Sequence, residues 1–205
     1  MAATDYLDLV DWRRRVGDLY RLTGPGALAE FRRGKDELFR THPQSPIEDR
    51  EAFRGLDYFP ADPAYRVAAA FEPADEPSEL EIDTGGEDGA IRYRRAGHLR
   101  FNLGDTECGL VVLSLIAYAG GLFVPFKDAT SRSETYGGGR YLFDTVKNTD
   151  GHVLEIKTGS TQVVIDFNYA YNPSCAYSPR WACPLATPES ILAIPIRAGE
   201  KVFRP

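Results

Sequence analysis

Two periodicities divide the chain. Up to about residue 40, apolar positions recur at helical spacing; from Tyr65 on they alternate or gather in short blocks between turns. Residues 5–22 place Tyr6, Leu9, Val10, Val16, Leu19 and Tyr20 on one stripe, with Thr4 as a cap and Asp5 and Asp8 near the positive end of the helix. Thr23-Gly24-Pro25-Gly26 ends it. Residues 25–40 read as a second helix, with Leu28, Phe31, Leu38 and Phe39 as its apolar side. Thr41-His42-Pro43 stops that one. Ser45-Pro46-Ile47-Glu48 then reads as a helix start: Ser45 caps, Pro46 suits the first helical position and Glu48 completes a capping box. It predicts a short third helix ending near Gly55. Strands are expected over 65–72, 79–83, 90–101, 107–117, 122–126, 140–147, 152–157 and 161–168, because each run is bounded by Gly, Pro, Asn or Asp turn formers. From Asn172 the chain carries Pro173, Pro179, Pro184, Pro188 and Pro195 and is expected to wrap over the sheet as ordered coil. The pattern predicts a mainly β fold, an antiparallel barrel-like or sandwich sheet with about three N-terminal α-helices and a Pro-rich C-terminal tail. A single domain, 1–205, is expected, with a helical N-terminal region (1–56) packed on a β region (62–205).

Composition changes little in this picture. The 43% hydrophobic and 26% charged residues are globular values. The net charge of -6 is unevenly spread. Glu72, Asp75, Glu76, Glu79, Glu81, Asp83, Glu87 and Asp88 form an acidic run without Lys or Arg, which reads as a solvated strand edge with its loops. Residues 91–205 hold 13 basic and 10 acidic residues, too mild an excess for a nucleic-acid footprint. Met1 to Asp8 lacks the basic and apolar regions of a signal peptide. Cys108 to Phe126 is uncharged and long enough to touch the membrane question, but Val, Ile and Phe around Ala119-Gly120-Gly121 fit two buried strands better. A soluble, cytoplasmic protein with no membrane and no nucleic-acid partner is expected; oligomeric state is not legible.

Candidate chemistry concentrates late in the chain. Cys175 and Cys183 are compatible with inert thiols, a disulfide or two metal ligands, but the histidines His42, His98 and His152 lie far off in sequence, so inert thiols fit best. No cofactor and no metal is expected. Asp128 and Asp166 flank apolar strand ends and are the candidate acid or base. The bland reading is that Asp128 caps the turn Asp-Ala-Thr-Ser and Asp166 pairs with Arg140 or Lys127. Gly137-Gly138-Gly139-Arg140 offers amides and a guanidinium to an anion, or is a loop needing positive φ. It is neither a P-loop nor a dinucleotide fingerprint. Asp166, Asn168 and Asn172 bring directional hydrogen-bonding groups to one strand end, or satisfy the backbone of the tail. Arg197, Glu200 and Lys201 suggest an ion-pair clasp.

Phe123-Val-Pro-Phe-Lys-Asp-Ala-Thr-Ser131, Glu134-Thr-Tyr-Gly-Gly-Gly-Arg-Tyr141, Asp166-Phe-Asn-Tyr-Ala-Tyr-Asn-Pro-Ser-Cys-Ala-Tyr177, Cys183-Pro-Leu185 and Pro195-Ile-Arg-Ala-Gly-Glu-Lys201 resemble a prokaryotic family catalogued only as a domain of unknown function (DUF 1684). Gly34-Lys-Asp-Glu-Leu-Phe, Ser45-Pro-Ile and Gly55-Leu-Asp-Tyr-Phe-Pro are similar too. The resemblance implies a single-domain extent and brings no activity and no catalytic residues. The expectation is therefore a small-molecule binding protein or enzyme, its ligand anionic, with a polar pocket built from 123–144 and 166–185. Lys127, Glu134, Tyr136, Arg140, Asn168, Asn172 and Tyr177 would bind the ligand beside Asp166 and Asp128. The alternative is a non-catalytic protein-interaction module.

Overall fold

The computed structural model describes residues 3–87 and 89–204; Met1, Ala2, Asp88 of the acidic run and Pro205 lie outside the described residues. Two α-helices open the fold, α1 (Ala3–Tyr20) and α2 (Ala27–Thr41). Thr4 lies inside α1 rather than capping it. The expected third helix does not form. Glu48, which should have closed a capping box, instead accepts a hydrogen bond from Ser178 in the tail. Ser45 still accepts from the Ile47 amide at 3.2 Å. Ile47 and Phe53 are buried in a cluster with Phe39 and Leu56, and six residues apart they cannot share one helical stripe. Tertiary burial overrides a segment too short to be helical by itself.

Eight strands follow: β1 (Arg66–Pro73), β2 (Glu79–Asp83), β3 (Ala90–Leu103), β4 (Thr106–Leu115), β5 (Leu122–Phe126), β6 (Arg140–Asp144), β7 (Leu154–Ile156) and β8 (Gln162–Asp166). They form one antiparallel sheet in the order β6-β5-β4-β3-β1-β8-β7, with β2 also paired to β3, curled into a half-barrel. The long β3 serves both β1 and β2, through Gly97–Phe101 and Ala90–Arg94 respectively. The uncharged run 108–126 is the β4–β5 pair, in register at Leu113 and Phe123. No helix among the described residues is long and apolar enough to cross a membrane. The acidic run meets arginines across the sheet: Glu72 pairs with Arg100 at 3.1 Å and Glu79 with Arg92 at 2.6 Å.

Strands β6 and β8 end earlier than the hydrophobic pattern suggests, for one reason. Asp144 and Asp166 turn back on the amides that follow, Asp144 capping Thr145–Lys147 and Asp166 capping Phe167–Tyr169 as 3-10 turns. The main core lies between the sheet and α1 and α2, around Phe31, Leu99, Leu110, Phe126, Phe143, Ile165 and Phe167. Each such side chain, fully buried, contributes about 1.5–3 kcal/mol. After Phe167 the chain runs back across β5, where Lys127 donates to Ser190 (2.9 Å) and Leu192 donates to Lys127 (2.8 Å) through the backbone.

Candidate functional site

The nine residues expected to share a pocket separate into distinct groups. The first is a buried lock. Arg140, 1% exposed, pairs with Asp128 at 2.9 Å. Its guanidinium also donates to the carbonyls of Ile196 (2.7 Å), Glu200 (3.1 Å) and Ala198. Asp128 in turn accepts from the amides of Thr130 (2.7 Å) and Ile196 (3.2 Å). The expected turn cap at Asp128 is present, but Arg140 takes Asp128 rather than Asp166. Burial pulls the Arg140 guanidinium down from its ordinary value and Asp128 opposes it. These acceptors engage both terminal nitrogens of the guanidinium, while Arg140 Nε stays buried and unbonded. The triple glycine serves the same lock: Gly139 has φ 96°, and a Cβ there would come within 2.5 Å of the Phe126 carbonyl oxygen. Lys127 contributes its backbone to the tail pairing described above.

The second group closes the end of β8. Asn168 donates to the Asp62 carbonyl (2.9 Å) and accepts from the Asp62 amide (3.0 Å). Its amide groups also meet Asp166 Oδ1, at 2.9 Å from the backbone and 2.8 Å from the side chain. Burial raises the Asp166 carboxyl, and the Asn168 bonds oppose that shift. Asp128 and Asp166 therefore belong to separate networks, and neither lines the cavity described next. Glu134 lies at the surface, paired with Arg197 at 2.9 Å. The expected clasp of Arg197, Glu200 and Lys201 is thus split: Arg197 turns outward to Glu134 and Glu200 turns inward to Lys35.

Asn172 and Tyr177 belong to the third group, and it borders a cavity. About 510 Å³ of space opens between α1, α2, the face of β3–β5 and the 174–184 segment. Its wall is aromatic: Trp12, Phe31, Tyr93, Phe123, Tyr171 and Trp181 all line it. At its base Lys35, 7% exposed, is held by Glu200, 1% exposed. Lys35 Nζ also lies 4.9 Å from the Tyr171 ring centroid. Glu200 Oε2 accepts from the Asn172 amide (2.9 Å) and from the Tyr177 hydroxyl. Near Val146, Asp144 and Lys147 face each other at 3.9 Å. The buried charges of the wall are thus matched, and the exposed Arg13 of α1 also lines it. Burial raises Tyr20, Tyr171 and Tyr177 well above the ordinary phenol value, so all three remain protonated.

Two polar atoms of this wall lack a partner. Asn172 Oδ1 and Trp181 Nε1 are buried and unbonded, and no other cavity-lining residue among those described has such an atom. Asn172 is 3% exposed. Its Nδ2 donates to the Lys201 carbonyl at 2.8 Å, which leaves the oxygen over. A buried acceptor and a buried donor left open are costly unless something occupies them. At the rim, Leu9 of α1 is 39% exposed, with Tyr6, Leu7 and Val10 exposed beside it along the helix.

Tyr136 stands apart, its hydroxyl 3.7 Å from Cys175 Sγ. Burial raises it to about 12, and the Cys175 contact adds to that. Cys108, Cys175 and Cys183 are free, and the described residues contain no group of three metal-ligating side chains. Most of the cavity wall escaped the sequence reading. One residue of it had a visible signal: Lys35 falls four residues after Phe31 and four before Phe39, a cation inside the apolar stripe of α2.

The family model described as "Protein of unknown function (DUF1684)" matches residues 51–201. That stretch contains the sheet and the 174–184 wall, while α1 and α2 precede it. No curated protein matches the chain. Among solved structures, the solution NMR structure of an uncharacterized protein of Haloarcula marismortui is similar, with 36% identity and a TM-score of 0.62, covering 85% of this chain and 91% of that one.

Proposed function

The chain belongs to the family described as "Protein of unknown function (DUF1684)", and from the geometry of its cavity we propose that it binds a small, largely apolar and uncharged ligand. One observation carries this reading. The buried charges of the aromatic cavity are matched internally and its one further cation, Arg13, is solvent-exposed, while a neutral acceptor, Asn172 Oδ1, and a neutral donor, Trp181 Nε1, are left open. A ligand with a flat apolar body and one amide-like group fits that inventory. The body would lie against Trp12, Tyr93 and Phe123, and Leu9 would mark the side of entry. The reading keeps Asn172 and Tyr177 as site residues. It gives Arg140, Asp128, Asp166 and Asn168 structural tasks instead, and it assigns no reaction.

The test uses a naphthamide probe and the matching naphthoate anion. Calorimetry and the fluorescence of Trp12 and Trp181 measure binding; the sequence has two tryptophans and both line the cavity. The expected result is saturable one-to-one binding of the amide, roughly tenfold or more tighter than the anion, since an unpaired charge is costly in an apolar site. Val16→Phe, which narrows the cavity from α1, should weaken it. Equal or tighter binding of the anion would overturn the uncharged reading. If neither probe binds and the tryptophan emission stays unmoved, the ligand reading itself fails.

A further inference from the structure

The mouth of the cavity carries a surface that ligand binding leaves unused. At 3.6 residues per turn, Tyr6, Leu7, Val10, Arg13 and Arg14 fall on about one third of the circumference of α1. All five are exposed. Arg21, one residue past the helix, extends the same face, since a Cβ at Gly17 would come to 2.7 Å from Arg21 Nη1. The acids of α1, Asp5, Asp8, Asp11 and Asp18, all fall outside that arc. Arg15, also outside it, is taken by Asp11 at 2.7 Å, whereas Arg13, Arg14 and Arg21 make no ion pair among the described residues. The apolar exposure continues off the helix. Tyr118, fully exposed, stands at the tip of the turn between β4 and β5, and Val146 is exposed beside Gly121 at the end of that turn. Among the described residues, only Ile156 and Ile191 are large, apolar and exposed elsewhere. Leu9, Arg13, Gly121 and Val146 also line the cavity, so this surface borders its mouth.

We propose that this face docks on an anionic lipid bilayer, with the cavity mouth turned toward the membrane. Charge chooses the partner. The chain carries a net charge of -6, so an anionic surface repels most of it, and a local patch of unpaired arginines without acids is what can hold it there. Apolar side chains set beside arginines are the composition of helices that lie in the membrane interface, the aliphatic groups entering the acyl boundary and the guanidinium groups meeting phosphates. Tyr6 and Tyr118 suit the headgroup level, each with an apolar ring and a polar tip. A second copy of the chain fits the face less well, because an isologous contact would bring arginines against arginines with no acid in the arc to meet them. The contact is peripheral: no helix among the described residues is long and apolar enough to span a bilayer. The expectation of no membrane is thus kept for spanning and set aside for the surface. The orientation gives an apolar ligand a path between bilayer and cavity, a consequence that rests on the cavity reading above; the docking itself rests on the surface alone.

The full chain, without any probe, is floated on a density gradient with vesicles of phosphatidylcholine alone or with about a third phosphatidylserine. The expected result is binding to the anionic vesicles roughly tenfold or more above the neutral ones. It should be lost at about 0.5 M salt, where surface charges are screened. Arg14→Gln with Arg21→Gln, and separately Leu7→Gln with Tyr118→Gln, should each lower that binding roughly tenfold. All four side chains are exposed, and an unchanged unfolding midpoint confirms that each variant folds. Ile191→Gln is the control: it is also an exposed apolar residue, but it bridges Lys127 beyond the far end of β5 and should leave binding unchanged. No flotation with the anionic vesicles, equal binding to both kinds, or weakening by Ile191→Gln as large as by the face variants would overturn the proposal. So would a concentration-dependent dimer in sedimentation that Leu7→Gln with Tyr118→Gln breaks up, because the face then pairs with a second copy. Naphthamide binding is measured in solution without vesicles, so its failure leaves the docking standing, and failure to float leaves the cavity reading standing.

Discussion

Two buried polar clusters lie on either side of Glu200, and they differ in where their open groups lie. Around Arg140, the charge of Asp128 and the carbonyls of Ile196, Ala198 and Glu200 occupy the terminal nitrogens of the guanidinium, and only Nε is left open. Around the cavity, Lys35 and Glu200 match each other, but Asn172 Oδ1 and Trp181 Nε1 stay open. Access distinguishes them: Arg140 lines no described cavity, so its open Nε stays inside the fold, whereas Asn172 and Trp181 line a cavity where a ligand gains by meeting their open groups.

The sharpest way to break this comparison is Arg140→Ala. It strands the Asp128 charge and three carbonyls in the interior, and should cost about 3–5 kcal/mol in denaturant unfolding. A loss below about 1 kcal/mol would mean the lock is not closed. Trp181→Phe acts on the other cluster. It removes an open donor, so stability should hold while naphthamide affinity drops about fivefold, the worth of one neutral hydrogen bond. Calorimetry on a variant with an unchanged unfolding midpoint separates the two effects.

A smaller effect is expected of Asp144→Asn. Burial raises the Asp144 carboxyl above the ordinary carboxylate range, so the folded state holds its proton to higher pH than the unfolded chain does. Its contribution is therefore favourable at low pH and is lost as pH rises through that raised value. Asparagine keeps the oxygen that accepts from Val146 (2.9 Å) and Lys147 (3.3 Å) and removes the titration. The stability–pH curve should flatten just above the carboxylate range, and a steeper curve would contradict the assignment. Glu134→Ala is the near-silent control. Its pair with Arg197 is exposed, and unfolding midpoint and probe affinity should both stay within error.

Much of the fold was legible in the sequence because periodicity reports burial directly. Both helices and all eight strands fall where the apolar pattern places them, within a few residues at the ends. The misses have particular causes. The helix expected after Ser45 depended on a local bond by Glu48, and Ser178, 130 positions away, offers a competing one. The sequence reading pairs Asp166 with Arg140 or Lys127 and makes Asp128 a turn cap; only the path of β6 and the tail brings Asp128 to Arg140 instead. The cavity was the least legible region, since its walls come from six separate stretches and its rarest feature is two unbonded atoms. Lys35 inside the stripe of α2 was a readable clue. A buried cation implies a buried anion somewhere, though not which one.

The bond between Lys35 and Glu200 joins positions 165 residues apart. On the ribosome, α2 is complete long before its counter-ion exists. Until Glu200 emerges, Lys35 has no carboxylate of its own and the aromatic wall has no floor. Loop closure over such a span is slow to gain its reward. The nascent chain therefore passes through a period in which its stickiest surface is open to solvent. The cavity is therefore completed only once Glu200 has emerged, 165 residues after Lys35.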